Sequence, residues 1–388
     1  MFKLSKKLKS LPPYLFLEID KAKRKARLEG RDIIDLGVGD PDQPTPKYII
    51  DALCLAVQDP ANHHYALDQG MPALRRAIVG WYKHRFNINL NPDSEILPLI
   101  GSKEGIAHFP LGFINQGDYV LVPEPGYPPY KGGTILAGGK PFPLPLLEKN
   151  AFLPDLKRIP LNVCKKAKLI FVNYPNNPTS ATAEKPFYKE LIDFAHKHRI
   201  IIISDLAYSE ICYDGYKPSS ILEVDGAQDV VIEFHSLSKT YNMTGWRVGF
   251  ACGNEKLISA LAKIKSNVDS GIFSAVQLAG IAALDGPEGH IKNMRSLYQE
   301  RRDILMRGLN SLGWQANNPK ATFYVWIRIP KGNDSIKFAG AILERANIVV
   351  TPGVGFGKYG EGYIRIALTV PEERIREAIE RLKKISSW

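Results

Sequence analysis

Short, nearly unbroken apolar runs alternate with amphipathic stretches through the middle of this chain. Ala167-Lys168-Leu169-Ile170-Phe171-Val172-Asn173 reads as a buried strand, Glu184 to His198 as an amphipathic helix, and Ile200-Ile201-Ile202-Ile203-Ser204-Asp205 as the next strand. Val230 to His235 follows after a loop bearing Gly and Pro, and Tyr119-Val120-Leu121-Val122-Pro123 supplies an earlier strand. This is the spacing of βαβ units. Val/Ile runs without alternation predict strands covered on both faces, hence a mainly parallel sheet between helices. A second pattern begins near Gly286-Pro287, with a helix over Ile291 to Leu312, a strand over Thr322 to Arg328 and a helix around Ile336 to Ala346. A strand over Tyr363 to Leu368 and a final helix from Pro371 complete it, and these elements predict a smaller α+β domain. The expected fold class is therefore α/β, with a large domain over residues 48–285 and a small domain made of 1–47 and 286–388.

Composition changes this picture little. At 388 residues, 45% hydrophobic and 23% charged, the chain can bury a large core and form two domains. Lys plus Arg number 51 against 40 acids, a balance of +11, much of it from Lys3, Lys6, Lys7, Lys9, Lys21, Lys23, Arg24, Lys25 and Arg27. These basic runs carry no interleaved aromatics and no recognition motif, so a solvated helix face accounts for them and no nucleic-acid partner is expected. The charge would steer anionic substrates. Cys54, Cys164, Cys212 and Cys252 are widely spaced, without a Cys-x-x-Cys or Cys/His cluster, so neither a metal site nor a disulfide framework is expected and a reducing compartment suits them. No apolar run has transmembrane length, and the lysine-rich start leads into Leu11-Pro12-Pro13 rather than an apolar signal core. The expectation is a cytoplasmic protein with no membrane association.

The chemistry centres on Ser236-Leu237-Ser238-Lys239-Thr240-Tyr241-Asn242-Met243-Thr244-Gly245-Trp246-Arg247. The strand before it would deliver the Lys239 amine to the carboxyl edge of the sheet, where open α/β sheets bind ligands. Two flanking hydroxyls and a guanidinium eight residues on, past a glycine, suit a ligand with an electrophilic carbon and a phosphate dianion. Pyridoxal 5'-phosphate is such a ligand: Lys239 would hold it as a Schiff base while Ser236, Ser238 and Arg247 neutralise the phosphate. By itself Ser-x-Ser-Lys reads as a polar loop with an exposed lysine; the strand before it, the spaced arginine and the clusters below overturn that reading.

Other clusters point to the same ligand. Asp205, in Asp205-Leu206-Ala207-Tyr208, puts a carboxylate at the sheet edge; paired with a pyridine nitrogen it would keep that nitrogen protonated, although a helix cap is the alternative. Tyr174-Pro175-Asn176-Asn177-Pro178-Thr179 follows a strand, and Asn177 and Tyr208 can both donate to a phenolic oxygen; the Asn-Pro pair is otherwise an ordinary turn. Gly101-Ser102-Lys103-Glu104-Gly105 precedes a helix whose first N–H groups would hold a phosphate or simply be capped. Tyr127, in a proline-stiffened loop, is a candidate to stack on the ring or to pack.

Together these segments resemble the class I/II pyridoxal-phosphate aminotransferases of fold type I, over nearly the whole chain. The matching motifs are Asn177-Pro178-Thr179, Asp205-x-Ala207-Tyr208 and Ser236-x-Ser238-Lys239 with Arg247. The resemblance implies that Lys239 carries the cofactor and then serves as acid and base for the proton shift. It implies backbone N–H groups of Ser102 and Lys103 on the phosphate, and Tyr127 and Ala207 sandwiching the ring. Tyr65 looks like the tyrosine lent across a homodimer to the neighbour's phosphate, giving composite sites. Arg365, in Tyr363-Ile364-Arg365-Ile366-Ala367, resembles the arginine that grips the substrate α-carboxylate; without the family it reads equally as a salt bridge on an edge strand. Ser180 departs from the glycine usual after Asn-Pro-Thr, and a local turn change is all that is expected of it.

Within the family, Leu11-Pro12-Pro13-Tyr14-Leu15-Phe16, Asp35-Leu36-Gly37-Val38-Gly39-Asp40-Pro41, the stretch Glu233 to Arg247 and Ser266-Asn267-Val268-Asp269-Ser270-Gly271-Ile272-Phe273 resemble the LL-diaminopimelate aminotransferase group, and alanine and aspartate aminotransferases nearly as closely. By that likeness Tyr14, Gly39, Lys103, Asn177 and Asn267 would contact substrate, Asn267 at a distal polar group. The implied reaction is ping-pong transamination between an amino donor such as glutamate and a 2-oxo acid. β-Elimination, as in C–S lyases, is the alternative chemistry on such a scaffold, and a basic nucleic-acid binder is the non-enzymatic one.

Overall fold

The computed structural model describes residues 2–12, 15–66 and 69–384. Its centre is a seven-stranded sheet in the order Ile96–Leu99, Gly249–Gly253, Val231–Ser236, Ile201–Asp205, Ala167–Asn173, Tyr119–Glu124, Lys140–Pro145. Gly249–Gly253 runs antiparallel to both neighbours, and every other pairing is parallel. The interior strands are apolar because helices cover both faces: Leu169, Ile170 and Phe171 are fully buried, as are Ile202, Ile203, Ile232 and Phe234. Helix Lys185–His198 shows how the cover is made. Phe187, Tyr188, Leu191, Ile192 and Ala195 form one buried stripe, and Arg199 closes the helix in the left-handed conformation with its N–H on Ala195 O.

Each strand expected from the apolar runs is present, with ends moved by one or two residues. Three strands of the same sheet had no expectation: Ile96–Leu99, Lys140–Pro145 and Gly249–Gly253. Two of them hold the sheet's edges and contain proline, Pro98 in one and Pro141, Pro143 and Pro145 in the other. Proline is tolerated on an edge, where an imide nitrogen can face the side without a partner strand.

The carboxyl ends of Ile96–Leu99, Tyr119–Glu124, Ala167–Asn173, Ile201–Asp205 and Val231–Ser236 share one edge of the sheet, and Gly249–Gly253 starts there. That edge faces a second layer. Strands Thr351–Pro352, Tyr363–Ala367 and Tyr324–Arg328 form an antiparallel sheet, and Ile34–Asp35 pairs in parallel with Ile348–Val349. Helices Gly289–Ser311, Ser335–Ala346 and Glu372–Lys383 share a separate core with this sheet, into which Ile34, Leu36, Tyr208 and Tyr213 also pack. Among the described residues no helix is long and apolar enough to cross a membrane, and no group of three His, Cys, Asp or Glu is placed to hold a metal.

Candidate active site

Lys239 stands on the helical turn Leu237–Thr240 at the end of strand Val231–Ser236. Ser236 caps that turn by accepting from Ser238 N at 3.2 Å. The amine sits between the two layers and donates to Gly39 O at 2.7 Å. What exposure it retains is to the cavity between the layers. Burial brings its pKa down to about 8, Arg365 and Arg247 push the same way, and only Asp40 opposes them. A substantial share of the amine is thus neutral near physiological pH, as a nucleophile or base requires.

Two buried carboxylates on adjacent strands separate structure from chemistry. Glu233 accepts from Tyr82 at 2.8 Å, Ser204 at 2.9 Å and Ser220 at 2.5 Å. Burial would raise its pKa, but neighbouring His235 and these hydroxyls outweigh burial and hold it below the usual range. Asp205 is left open. Its Oδ2 accepts from Tyr130 at 2.7 Å, whereas Oδ1 is buried with no hydrogen-bond partner among the described residues. Burial raises its pKa to about 6, against the Tyr130 bond, the Ala207 backbone N–H and nearby His235, which all pull down. An unpaired buried carboxylate oxygen is costly unless something cationic is meant to meet it. Asn173 braces the region, donating to Asp205 O at 2.7 Å and accepting from Asn177 N at 2.8 Å.

The opposite wall is cationic. Gly101, at φ +74°, turns the chain into helix Ser102–His108, and a Cβ there would lie 2.1 Å from Arg247 Nη2. The positive φ is what favours glycine here, and a Cβ would in addition displace the Arg247 guanidinium from this wall. Arg247 itself has φ 57° and donates to Thr244 O at 2.8 Å. The hydroxyls of Ser236, Ser238 and Thr244 and the start of the helix line the same wall, and the first N–H groups of a helix have no intrahelical acceptor.

From the second layer comes Arg365, in strand Tyr363–Ala367. It donates to Asn177 Oδ1 at 2.7 Å and to Gly37 O at 2.6 Å, and its guanidinium lies 4.1 Å from the Tyr324 ring centroid and 4.8 Å from that of Phe356. The bond to Oδ1 sets the Asn177 amide so that its NH2 remains for the cavity. Tyr208 and Tyr324 meet hydroxyl to hydroxyl at 3.1 Å. Ser180, expected to alter only its own turn, does more: at φ 60° it donates to Tyr324 O at 2.6 Å and pairs with Thr322 Oγ1 at 2.8 Å. It ties the Asn-Pro loop to the second layer because its hydroxyl reaches a strand that sequence distance had hidden.

These groups surround one cavity of about 440 Å³. The structure brings Gly39, Ser102, Lys103, Tyr127, Asn177, Asp205, Ala207, Tyr208, Ser236, Ser238, Lys239, Arg247 and Arg365 to its wall. Two expected residues are not on it. Tyr65 is 93% exposed, and Asn267 is exposed with its amide donating to Lys263 O at 2.8 Å. A contact between Asn267 and substrate within one chain is therefore not what this geometry offers, because the turn after helix Glu255–Lys265 uses that amide locally. Tyr14 lies outside the described residues. Sequence reading missed Tyr130, Asn173, Thr244, Tyr324 and Phe356. Tyr130 had a weak signal, three residues after Tyr127 at the start of a helix; Tyr324 and Phe356 had none.

Residues 31–382 match the family Aminotransferase class I and II. The chain is 56% identical to the LL-diaminopimelate aminotransferase of Halothermothrix orenii over 97% of each chain. It is 55% identical to that of Aquifex aeolicus over 99% of this chain and all of the other. The solved structure of substrate-bound BacF from Bacillus subtilis superposes with a TM-score of 0.96 at 39% identity, covering 100% of this chain and 98% of that one. The chain belongs to the class I and II aminotransferases, enzymes of fold type I that depend on pyridoxal 5'-phosphate and exchange amino groups between amino acids and oxo acids. The wall fits that cofactor by its own chemistry. A buried amine of lowered pKa, a carboxylate oxygen left open for a pyridinium, and a glycine-arginine-hydroxyl cradle for a phosphate face one cavity.

Proposed function

We propose that this chain holds pyridoxal 5'-phosphate on Lys239 and transfers an amino group from glutamate or a similar donor to a 2-oxo acid, with LL-diaminopimelate and its open-chain oxo form as the characteristic pair. The observation that carries the chemistry is that Asp205, whose buried Oδ1 has no hydrogen-bond partner among the described residues, lines the same cavity as Lys239. When bound, the cofactor supplies an electron sink for the charge left as the substrate's α-hydrogen departs. Asp205 Oδ1 keeps the pyridine nitrogen protonated, and Tyr130 keeps Asp205 ionised and turned. Arg247, Ser236, Ser238 and the first N–H groups of Ser102 and Lys103 neutralise the phosphate. Arg365 would take the α-carboxylate through its planar fork, and the Lys239 amine would remove and return the proton at the α-carbon.

The substrate reading is supported by relatives at 51–56% identity over nearly whole chains that carry the name LL-diaminopimelate aminotransferase. A second cavity of about 520 Å³ lies beside the first and shares Lys103, Tyr127 and Phe356 with it; its Leu11, Leu136 and Val354 offer no partner to the charged far end of such a substrate, so the substrate reading rests on the relatives. Tyr65, exposed and off the wall of its own chain, fits a homodimer in which each copy lends this tyrosine to its neighbour's site. We also propose a cytoplasmic location and the division into residues 48–285 and 1–47 with 286–388.

Borohydride reduction of the holoenzyme should fix a pyridoxyl group to Lys239 alone; a label elsewhere, or none, sinks the cofactor assignment. Amino acids added singly should bleach the visible absorbance in the order of their use. If alanine or aspartate acts efficiently and LL-diaminopimelate does not, the general aminotransferase reading replaces the specific one. Release of pyruvate and a thiol from a cysteine conjugate, without consumption of a 2-oxo acid, would point to lyase chemistry instead. Mixed Tyr65→Phe and Lys239→Ala subunits should regain activity if sites are composite.

A further inference from the structure

Tyr324 is buried, and its position is overdetermined. Its carbonyl accepts from Ser180 at 2.6 Å and its N–H bonds to Thr322 Oγ1 at 3.1 Å. The ring carries the Arg365 guanidinium 4.1 Å from its centroid. Its hydroxyl meets that of Tyr208 at 3.1 Å. The same hydroxyl occupies the space a side chain at position 39 would need, since a Cβ on Gly39 would fall 1.9 Å from it. Gly39 in turn supplies the carbonyl that receives the Lys239 amine at 2.7 Å. Stacking on Arg365 would be served equally by phenylalanine, so the hydroxyl's bond to Tyr208 is the part that stacking leaves unexplained.

We propose that Tyr324 is a positioning residue that couples the carboxylate anchor to the ionisation of the bound cofactor: its ring aims Arg365, and its hydroxyl donates to Tyr208. A hydroxyl that receives a hydrogen bond becomes a better donor. Tyr208 then donates more strongly into the cavity, to the cofactor's phenolic oxygen under the aminotransferase reading on which this inference rests. Stronger donation there lowers the proton affinity of the cofactor's linkage to Lys239. The two parts of Tyr324 act on different quantities and can be removed separately.

The test uses holoenzyme and two readouts: the pH midpoint of its visible absorbance, and KM against kcat for glutamate. Tyr324→Phe keeps the ring and should raise the midpoint by roughly 0.1–0.6 unit, the fraction of a hydrogen bond that cooperativity passes on, while leaving the glutamate KM within about twofold. Tyr324→Leu should raise the midpoint similarly and also raise KM by roughly 5- to 30-fold, as the stacked guanidinium loses its seat. Tyr208→Phe should raise the midpoint by itself, and adding Tyr324→Phe to it should change the midpoint no further. An unchanged midpoint in Tyr324→Phe overturns the proposal, as does additivity of the two phenylalanine variants. A KM rise in Tyr324→Phe equal to that in Tyr324→Leu overturns the division of labour. Should Tyr324→Leu fail to fold, the two phenylalanine variants, each lacking one oxygen, still decide the hydroxyl's role. A wild type without visible absorbance or a Lys239 label would instead refute the cofactor reading itself.

Discussion

At the end of the cavity formed by the large sheet, Asn173, Asp205 and Lys239 stand at the ends of neighbouring strands, and their supports are close in sequence. Asn177 N reaches an acceptor 4 residues away, and Asn173 reaches Asp205 O over 32. At the other end Arg365 reaches back over 328 positions to Gly37 and over 188 to Asn177. The first end is made by where strands stop, the second by how two layers meet. Strand ends in a parallel sheet are held by ladders on both sides, so the sheet end should tolerate loss of the anchor end. The reverse does not hold, because Arg365 takes part of its aim from Asn177, which follows a strand of the large sheet.

That asymmetry can be broken at several points. The largest effect should come from Asp205→Asn, which removes the charge from the open oxygen: kcat/KM should fall on the order of 10²- to 10³-fold for every amino donor, with weaker cofactor retention. If activity survives, the sheet end is not where the electronics are set. Next is stability without cofactor. The Lys239 pKa of about 8 lies below the ordinary 10.5. Between those values the unfolded chain holds a proton that the folded chain has released, so wild-type stability rises with pH through that window, and the deficit is complete below pH 8. Apo Lys239→Met should therefore unfold later than wild type at pH 7, by up to about 3 kcal/mol, with the gap closing as pH approaches 10.5. A gap independent of pH would refute the buried-amine account. Arg365→Lys keeps the charge but not the fork. It should lower kcat/KM roughly 10- to 100-fold for all amino donors alike, while the borohydride label on Lys239 stays intact; loss of the label would show the two ends to be mutually dependent.

The smallest effect belongs to Ser180. Replacement by glycine relieves a left-handed residue, about 1 kcal/mol, but deletes hydroxyl bonds to Tyr324 O and Thr322 of about 1 kcal/mol each. Ser180→Gly should thus lose about 1 kcal/mol and Ser180→Ala about 2 kcal/mol, read from urea midpoints. A stabilised Ser180→Gly would mean that the bridge between the layers contributes nothing.

What the sequence determined by itself follows from local physics. Short apolar runs without alternation, spaced by amphipathic helices, read as strands covered on both faces, so the sheet edge and the residues at it were legible: Asp205 at the end of Ile201–Asp205, Asn177 after Ala167–Asn173, Lys239 after Val231–Ser236. Proline and glycine hid the remaining strands, because an edge or a tightly packed position cancels the penalty that intrinsic preference assigns them. Only the tertiary structure decided which oxygen of Asp205 stays open, since Tyr130 reaches it over 75 residues. Only it placed Tyr324 under Arg365, against Tyr208 and in the space left by Gly39. Such contacts depend on side-chain reach across two separately cored layers, and no periodicity along one chain records which residues will face each other when those layers close.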